Sequence, residues 1–466
     1  MAGDGRLVVI SNRVAVPKAR GAAGAQGGLA GALNAALKDR GGIWFGWSGE
    51  ETEIPSETIH LDRTDGVTTA TIDLSAQEVE EYYNGYANST LWPLFHYRID
   101  LAEFEKRTGQ VYERVNERFA EGVSPLIDAE DLVWVHDYHL IPLGERLRAR
   151  GLKNRLGFFL HIPWPPTRLL TSLPFHERLV NSMLTYDLIG FQTEEWLSSF
   201  LHYCENELGA EVDAQSGRVT FEGRTTTARA YPIGIDWDHF QAQGQTDDAR
   251  RAQKRLLAST RHRTAMIGVD RLDYSKGLPE RIDGIGRFFD EHPERARDLV
   301  FIQIAPPSRE DVESYQQIRA LLEQKCGQIN GARSEVDIVP IRYVNRGYSH
   351  AELFGFFRAA KIGLVTPLRD GMNLVAKEYV AAQDPQDPGV LILSDFAGAA
   401  RQLEADGTGA LLVNPHSPDA MASAIATALD MPLEERQARY QAMIGTVRDD
   451  NVQAWTAEFC KQLASD

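Results

Sequence analysis

The sequence predicts an α/β protein of two doubly wound domains, on three observations. Short, continuously apolar runs alternate with longer helical patterns through most of the chain. At 466 residues the chain exceeds what one core organises, since domains average about 150 residues. A break near Pro232-Ile233-Gly234-Ile235, followed by a polar stretch around 241–255, divides these units into two halves.

The strand candidates are Leu7–Ile10, Leu132–Val135, Leu156–Leu160 and Leu188–Phe191 in the first half. In the second they are Ala265–Val269, Leu299–Ile304, Ile362–Val365 and Val390–Leu393. A run that is apolar throughout, rather than at alternate positions, belongs to a strand covered on both faces, as in parallel sheets. Helix starts are marked by Ser75 with Glu78 and Ser349 with Glu352, at the capping-box spacing. Ser417-Pro418-Asp419 places a cap, a first-turn proline and an acid before Ala420–Leu429. A last helix-like segment, 451–463, is expected to return to the first domain. The expected boundaries are 1–235, 236–450 and 451–466. No short repeat is present, which excludes solenoids and propellers.

Composition narrows the partners. A formal net charge of −17 with no long Lys/Arg run argues against nucleic acid. Cys204, Cys326 and Cys460 lie far apart without metal or redox spacing, and read as small buried apolar residues. No cationic segment with an apolar run opens the chain, and no apolar stretch is long enough for a bilayer. A cytoplasmic protein without membrane contact is expected.

In doubly wound sheets ligands bind beyond the carboxyl ends of strands, so the polar residues there carry the argument. Ser11-Asn12-Arg13 follows the first strand, then a glycine-bearing loop Gly21–Gly28 and a helix-like run 29–40. The glycine spacing is not GxGxxG, and a surface loop is an equal reading. Asp270-Arg271-Leu272-Asp273-Tyr274-Ser275-Lys276-Gly277 follows the fifth run. Arg271 and Lys276 can converge on a diphosphate, or can simply pair with Asp270 and Asp273 in an exposed loop. Ala305-Pro306-Pro307-Ser308-Arg309 adds another cation beyond a strand.

Thr366-Pro367-Leu368-Arg369-Asp370-Gly371-Met372-Asn373 leads into a helix carrying Glu378. Free N–H groups at that helix start suit a phosphate, and Glu378 can accept ribose hydroxyls; a capped helix with Glu378 facing Lys377 or solvent is the alternative. His136-Asp137-Tyr138-His139 and His161-Ile162-Pro163 follow two strands of the first half, without the spacing of a metal site. Asp236-Trp237-Asp238 reads as a helix cap. The aromatic stretch Glu81–Pro93 is either a sugar-stacking surface or ordinary core.

Ten segments in order, spanning nearly the whole chain, carry a family resemblance. They are SNRVAVP, GGLAGAL, GGIWFGWSGE, YYNGYANSTLWPLFHYR, VWVHDYHLIPL, FFLHIPWPP, YPIGID, RLDYSKGLPER, IAPPSR and TPLRDGMNLVAKEYVAAQ. The chain thereby resembles the trehalose-6-phosphate synthases, retaining glycosyltransferases of the GT-B fold, with two Rossmann-like domains facing a central cleft. The resemblance implies that Arg271 and Lys276 bind the donor diphosphate and Glu378 its ribose. It implies that His161, Asp370 and the Gly371-Met372-Asn373 backbone hold the donor glucose, with Leu374 and Val375 following and Tyr348 near the base. Arg13, Tyr83, Trp92, Asp137 and Arg309 would surround glucose 6-phosphate, with Gly28 near both substrates. It implies no cofactor, no metal and a homo-oligomer, dimer or tetramer. A relative using another acceptor and a non-catalytic sugar-phosphate sensor are the competing readings. The second is disfavoured because Arg271, Lys276, Asp370 and Glu378 are all present.

Overall fold

The computed structural model describes residues 5–14, 33, 37, 42–54, 58–64, 66–261, 263–308 and 313–465. The chain divides into two compact units, Met1–Ile233 with Val452–Asp466, and Gly234–Asn451.

The first unit is built on β1 (Leu7–Arg13), β2 (Gly42–Thr52), β3 (His60–Thr64), β4 (Val67–Ser75), β5 (Leu132–His136), β6 (Leu156–Phe159), β7 (Leu188–Phe191), β8 (Glu211–Asp213), β9 (Arg218–Phe221) and β10 (Arg224–Ala230). Among the described residues the sheet order is β3-β4-β2-β1-β5-β6-β7-β10-β9-β8. From β4 to β10 every neighbouring pair is parallel, and β3, β9 and β8 add antiparallel edges. Strands β6 and β7 are buried at every position, which is why they read as uninterrupted apolar runs.

The second unit holds β11 (Thr264–Val269), β12 (Leu299–Ile304), β13 (Ile341–Val344), β14 (Ile362–Val365), β15 (Val390–Ser394) and β16 (Leu411–Val413). Their order, β13-β12-β11-β14-β15-β16, is all parallel. In each sheet the chain builds one side and then returns to build the other. The reversal falls between β1 and β5 in the first unit and between β11 and β14 in the second. In sheets of this kind ligands bind at the strand ends beside such reversals.

The expected caps are present. Ser75–Glu78 and Ser349–Glu352 form capping boxes, and Ser417 caps a helix that begins at Pro418. Asp236 caps Trp237–Gly244, its carboxylate accepting the His239 N–H at 3.2 Å. The polar stretch after the break is helical, Trp237–Gly244 and Asp247–Thr260.

The helix Val452–Ser465 buries Val452, Trp455, Thr456, Phe459, Cys460 and Leu463, one face at three- and four-residue spacing. It lies on the first unit's sheet, with Phe459 stacked on Trp134 at 4.3 Å and 11°. Gly157 and Gly190 make room for it: a Cβ at Gly157 would stand 2.7 Å from the Phe459 ring, and one at Gly190 3.0 Å from it. The three cysteines are buried and none is in a disulfide among the described residues.

Candidate functional site

In the first unit, four of the five residues expected to surround an acceptor stand at the strand ends beside the β1/β5 reversal. Arg13 ends β1, and its guanidinium lies 5.5 Å from the Trp47 ring centroid. Gly49, at φ +87°, admits it, since a Cβ there would fall 2.2 Å from Arg13 Nη2. Trp47 meets the Tyr83 ring edge-on at 5.7 Å, and Tyr83 stacks on His139 at 5.8 Å and 12°. His139 lies against Tyr138, whose ring faces Trp92 at 5.6 Å. One train of aromatic rings thus joins Arg13, Tyr83 and Trp92. Trp92 itself is only 5% exposed.

Tyr83 is presented by a π-helix, Val79–Leu91, a rare form frequently found at functional sites. Tyr82, one residue earlier, turns inward and donates to Asn12 Oδ1 at 2.7 Å, tying the π-helix to the end of β1.

Asp137 follows β5 with φ 74° and ψ 166°, a backbone conformation otherwise confined largely to glycine. Its Oδ1 accepts the His161 backbone N–H at 3.3 Å, so the ends of β5 and β6 are joined there. His161 Nε2 stands 3.0 Å from His136 Nδ1, and His161 Nδ1 3.3 Å from Gln192 Nε2. Burial holds both imidazoles neutral, His136 well below its usual range and His161 at about 3. His136, Asp137 and His139 therefore turn to different neighbours. No three His, Cys, Asp or Glu side chains converge as metal ligands among the described residues.

In the second unit the loops after β11 and β14 interlock at the reversal. Leu368 N–H donates to Ser275 O at 2.8 Å. Lys276 Nζ and Asp370 Oδ2 form an ion pair at 2.5 Å, both side chains only about one-eighth exposed (12% and 14%). Asn373 Nδ2 donates to the same carboxylate oxygen at 3.1 Å. Asn373, at φ 78°, caps the helix Leu374–Ala382, its Oδ1 accepting Ala376 N–H at 3.3 Å. Leu374 and Val375 open that helix half-buried, while Gly371 and Met372 are buried. Glu378 stands one turn on and is half-buried, yet deep enough that desolvation pushes its carboxyl up to about 7. The neighbouring Lys377 points elsewhere, donating to Gln402 Oε1 at 2.7 Å, which removes the Lys377–Glu378 pair from consideration.

The acids of the β11 loop have structural partners. Asp270 pairs with the buried Arg281 at 2.7 Å. Asp273 accepts from Ser275 N–H and Oγ at 2.9 Å and from Tyr315 OH at 3.1 Å. Neither is the partner of Lys276, whose charge is met by Asp370 instead, and Arg271 is exposed.

Tyr348 lies beyond β13, two strands from β11. There it meets Arg346 at 4.6 Å and the edge of Phe356 at 5.0 Å. Gly28 and Arg309 lie outside the described residues. Three participants escape a sequence reading: Arg281 and Gln303, which brace the β11 loop from within, and Gln192, which reaches His161. All three are buried polar side chains on otherwise ordinary elements. The one signal available is that Arg281 closes the RLDYSKGLPER segment.

Two doubly wound α/β units, the second with an anchored lysine beside a helix N-terminus at its reversal point, match the GT-B glycosyltransferase architecture of the solved structures this chain superposes on. The model of "Glycosyltransferase family 20" matches residues 5–465. A trehalose-6-phosphate synthase of Sinorhizobium fredii is 46% identical over 463 residues, 99% of this chain and 98% of that protein. An α,α-trehalose-phosphate synthase (UDP-forming) from Burkholderia xenovorans, solved in complex with glucose-6-phosphate, superposes with a TM-score of 0.94. It is 46% identical and the match covers 98% of this chain and 100% of that one. A structure from E. coli bound with UDP-2-fluoro glucose gives 0.93 at 41% identity, covering 99% of each chain. This chain belongs to glycosyltransferase family 20.

Proposed function

We propose that the chain transfers glucose from a nucleoside diphosphate glucose, UDP-glucose first among them, to glucose 6-phosphate. The products are α,α-trehalose 6-phosphate and the nucleoside diphosphate, with anomeric configuration retained. The observation that carries this reading is the Lys276–Asp370–Asn373 cluster at the start of the helix Leu374–Ala382. It places a cation, a carboxylate and free first-turn N–H groups at one reversal point. The relatives' names, and the glucose-6-phosphate and UDP-2-fluoro glucose bound in two of the similar structures, support the choice of substrates.

The diphosphate and ribose of the donor are assigned to residues of the second unit. Lys276, released from Asp370, and Arg271 take the charge that develops on the leaving diphosphate, the task a metal performs elsewhere. Glu378 accepts the ribose hydroxyls. Asp370, the backbone of Gly371, Met372 and Asn373, and His161 hold the glucose being transferred, with Leu374, Val375 and Gly28 alongside and Tyr348 toward the base. For the acceptor, Tyr83, Trp92 and Asp137 position the sugar, and Arg13 with Arg309 hold its phosphate. The acceptor's anomeric hydroxyl attacks from the face the diphosphate leaves. The C1–O bond to the diphosphate breaks as the new C1–O bond forms, and the departing phosphate oxygen takes the hydroxyl proton. Asp137 and Asp370 then position rather than attack.

Among the described residues no helix is long and apolar enough to cross a membrane. A cytoplasmic homo-oligomer without metal or cofactor completes the proposal. The test is release of nucleoside diphosphate from UDP-, ADP- and GDP-glucose, with and without glucose 6-phosphate, in EDTA. Release that requires glucose 6-phosphate is expected. Binding of a nucleotide sugar with no release would refute the reading in favour of another acceptor or a sensor.

A further inference from the structure

We infer that Tyr112 and Asn116, on the helix Lys106–Val123, are positioning residues that hold the turn after β5 and so fix Asp137 for the acceptor. The inference rests on the acceptor role proposed above for Asp137. Its geometry lies wholly within the first unit.

The turn Tyr138–Leu140 leads into the helix Leu143–Ala149, with Pro142 at the junction. In a continuous helix the N–H of residue 142 would bond the carbonyl of residue 138, but proline has no N–H. Tyr138 O is met instead by the Tyr112 hydroxyl, which donates to it at 2.6 Å. One residue on, Asn116 Nδ2 donates to His139 O at 3.1 Å and to Tyr112 O at 3.0 Å. The next two carbonyls, of Leu140 and Ile141, lie 3.1 and 3.3 Å from the Tyr186 hydroxyl, which also accepts the Gly144 N–H at 2.8 Å. Side chains from two other parts of the chain thus meet four successive carbonyls of one turn.

Tyr112, Asn116 and Tyr186 are almost wholly buried, so water does not compete for these bonds. Asn116 carries a cost, because its Oδ1 is buried without a hydrogen-bond partner. Turning the amide over would set that oxygen against two carbonyl oxygens, so the orientation is forced. A leucine would leave no orphaned oxygen; the asparagine supplies two donors that a leucine lacks.

Asp137 stands between this clamp and the sheet. Its N–H donates to Phe159 O at 2.8 Å, extending the β5–β6 ladder, and its carbonyl accepts the Leu140 N–H at 3.0 Å. Its φ of 74° with ψ 166° is strained for a residue with a Cβ, and such strain persists only where the surroundings over-determine it. The sheet fixes one side of Asp137, and Tyr112 and Asn116 fix the other. With the turn released, Asp137 relaxes toward ordinary angles and its carboxylate moves away from the acceptor.

The experiment is initial-rate kinetics of UDP release by the full chain, with glucose 6-phosphate and UDP-glucose varied in turn. Tyr112→Phe removes one hydroxyl and keeps the ring. It should raise the KM for glucose 6-phosphate roughly tenfold, the worth of about one hydrogen bond, with the KM for UDP-glucose little changed. Asn116→Leu, of similar volume, should do the same. Loss of folded enzyme lowers the apparent kcat but neither KM, so a merely structural role would not separate the two. Asp137→Ala should itself raise the acceptor KM, and adding Tyr112→Phe to it should raise that KM no further, because the hydroxyl acts through Asp137. An acceptor KM unchanged in both Tyr112→Phe and Asn116→Leu, equal changes for the two substrates, or full additivity in the double variant would overturn the inference. Should Asp137→Ala leave the acceptor KM unchanged, the acceptor role of Asp137 falls, and the inference with it.

Discussion

Replacing Arg281 by methionine tests whether the β11 loop is held from inside the second unit. Arg281 is fully buried and reaches three strand ends at once. Its Nε donates to Thr366 Oγ1 at 2.9 Å, Nη1 to Asp270 Oδ2 at 2.7 Å and to Gln303 Oε1 at 2.9 Å, and Nη2 to Lys276 O at 3.4 Å. Methionine fills much of the volume but leaves Asp270, whose side chain is 1% exposed, as a buried charge without its cation. Breaking such a pair from one side costs about 3–5 kcal/mol, far more than the net worth of the intact pair.

The cost should depend on pH in a specific direction. Burial already lifts the Asp270 carboxyl above its ordinary 3.8, with Arg281 and then Lys276 pulling it back down. Without Arg281 it rises further. A carboxyl that binds its proton more tightly in the folded chain makes stability fall as pH rises from the unfolded pKa to the folded one. Arg281→Met should therefore be least stable above that window and recover on acidification toward pH 4. A chain of two units need not unfold in one step, so the assay is urea-dependent hydrogen exchange read on peptides from 264–281 and 362–370. Adding Asp270→Asn should restore part of the loss, because it removes the stranded charge. An Arg281→Met variant within about 1 kcal/mol of the parent at pH 8, or a double variant no better than the single, would refute the mechanism.

Four further expectations follow from the site and its supports. Lys276→Ala should lower kcat about 10²-fold, as loss of one charge-stabilising group does, without unfolding; near-normal turnover would remove its role at the diphosphate. With Glu378 titrating at about 7, donor kcat/KM should climb as pH rises from 6 to 8 and the carboxylate forms. Glu378→Gln should lower donor kcat/KM and abolish that climb, as a pH–rate profile would show. Arg309→Ala should raise the acceptor KM well above any change in donor KM, by roughly the 1.5–3 kcal/mol of a charge-assisted bond, in initial-rate kinetics. Phe459→Ala should destabilise the first unit by about 3–5 kcal/mol in denaturant unfolding, since the ring is fully buried between Trp134 and the glycine floor of β6 and β7.

How far the sequence speaks depends on what buries each residue. Strands β6, β7 and β14 are covered throughout, and their letters say so. Strands β2 and β4 do not announce themselves. Gly42 and Gly46 interrupt the first, which ends in exposed acids, and half-buried threonines fill the second. The cations beyond strand ends were legible because a sheet of this kind binds ligands there. Arg281 was not, because Arg287, on the same helix and about one and two-thirds turns on, is the same letter with a half-exposed side chain. Which of the two points inward is decided by the phase of the helix against a sheet whose register the letters do not state.

The backbone holds the information that was least accessible. Asp137 and Asn373 both stand at positive φ without being glycine, one after β5 and one after β14, each strand beside a reversal. Asparagine tolerates such angles through local hydrogen bonding, and Asn373 makes that bond to Ala376 N–H. Asp137 lies in a different region, for φ 74° with ψ 166° is where a Cβ is strained, at a cost of order 1–3 kcal/mol. A glycine would remove the strain and also remove the carboxylate that meets His161 N–H. Strain kept at a residue whose side chain joins two strand ends is what a site held in place for a ligand would retain. A loop that only connected β5 to its helix would have no reason to keep it.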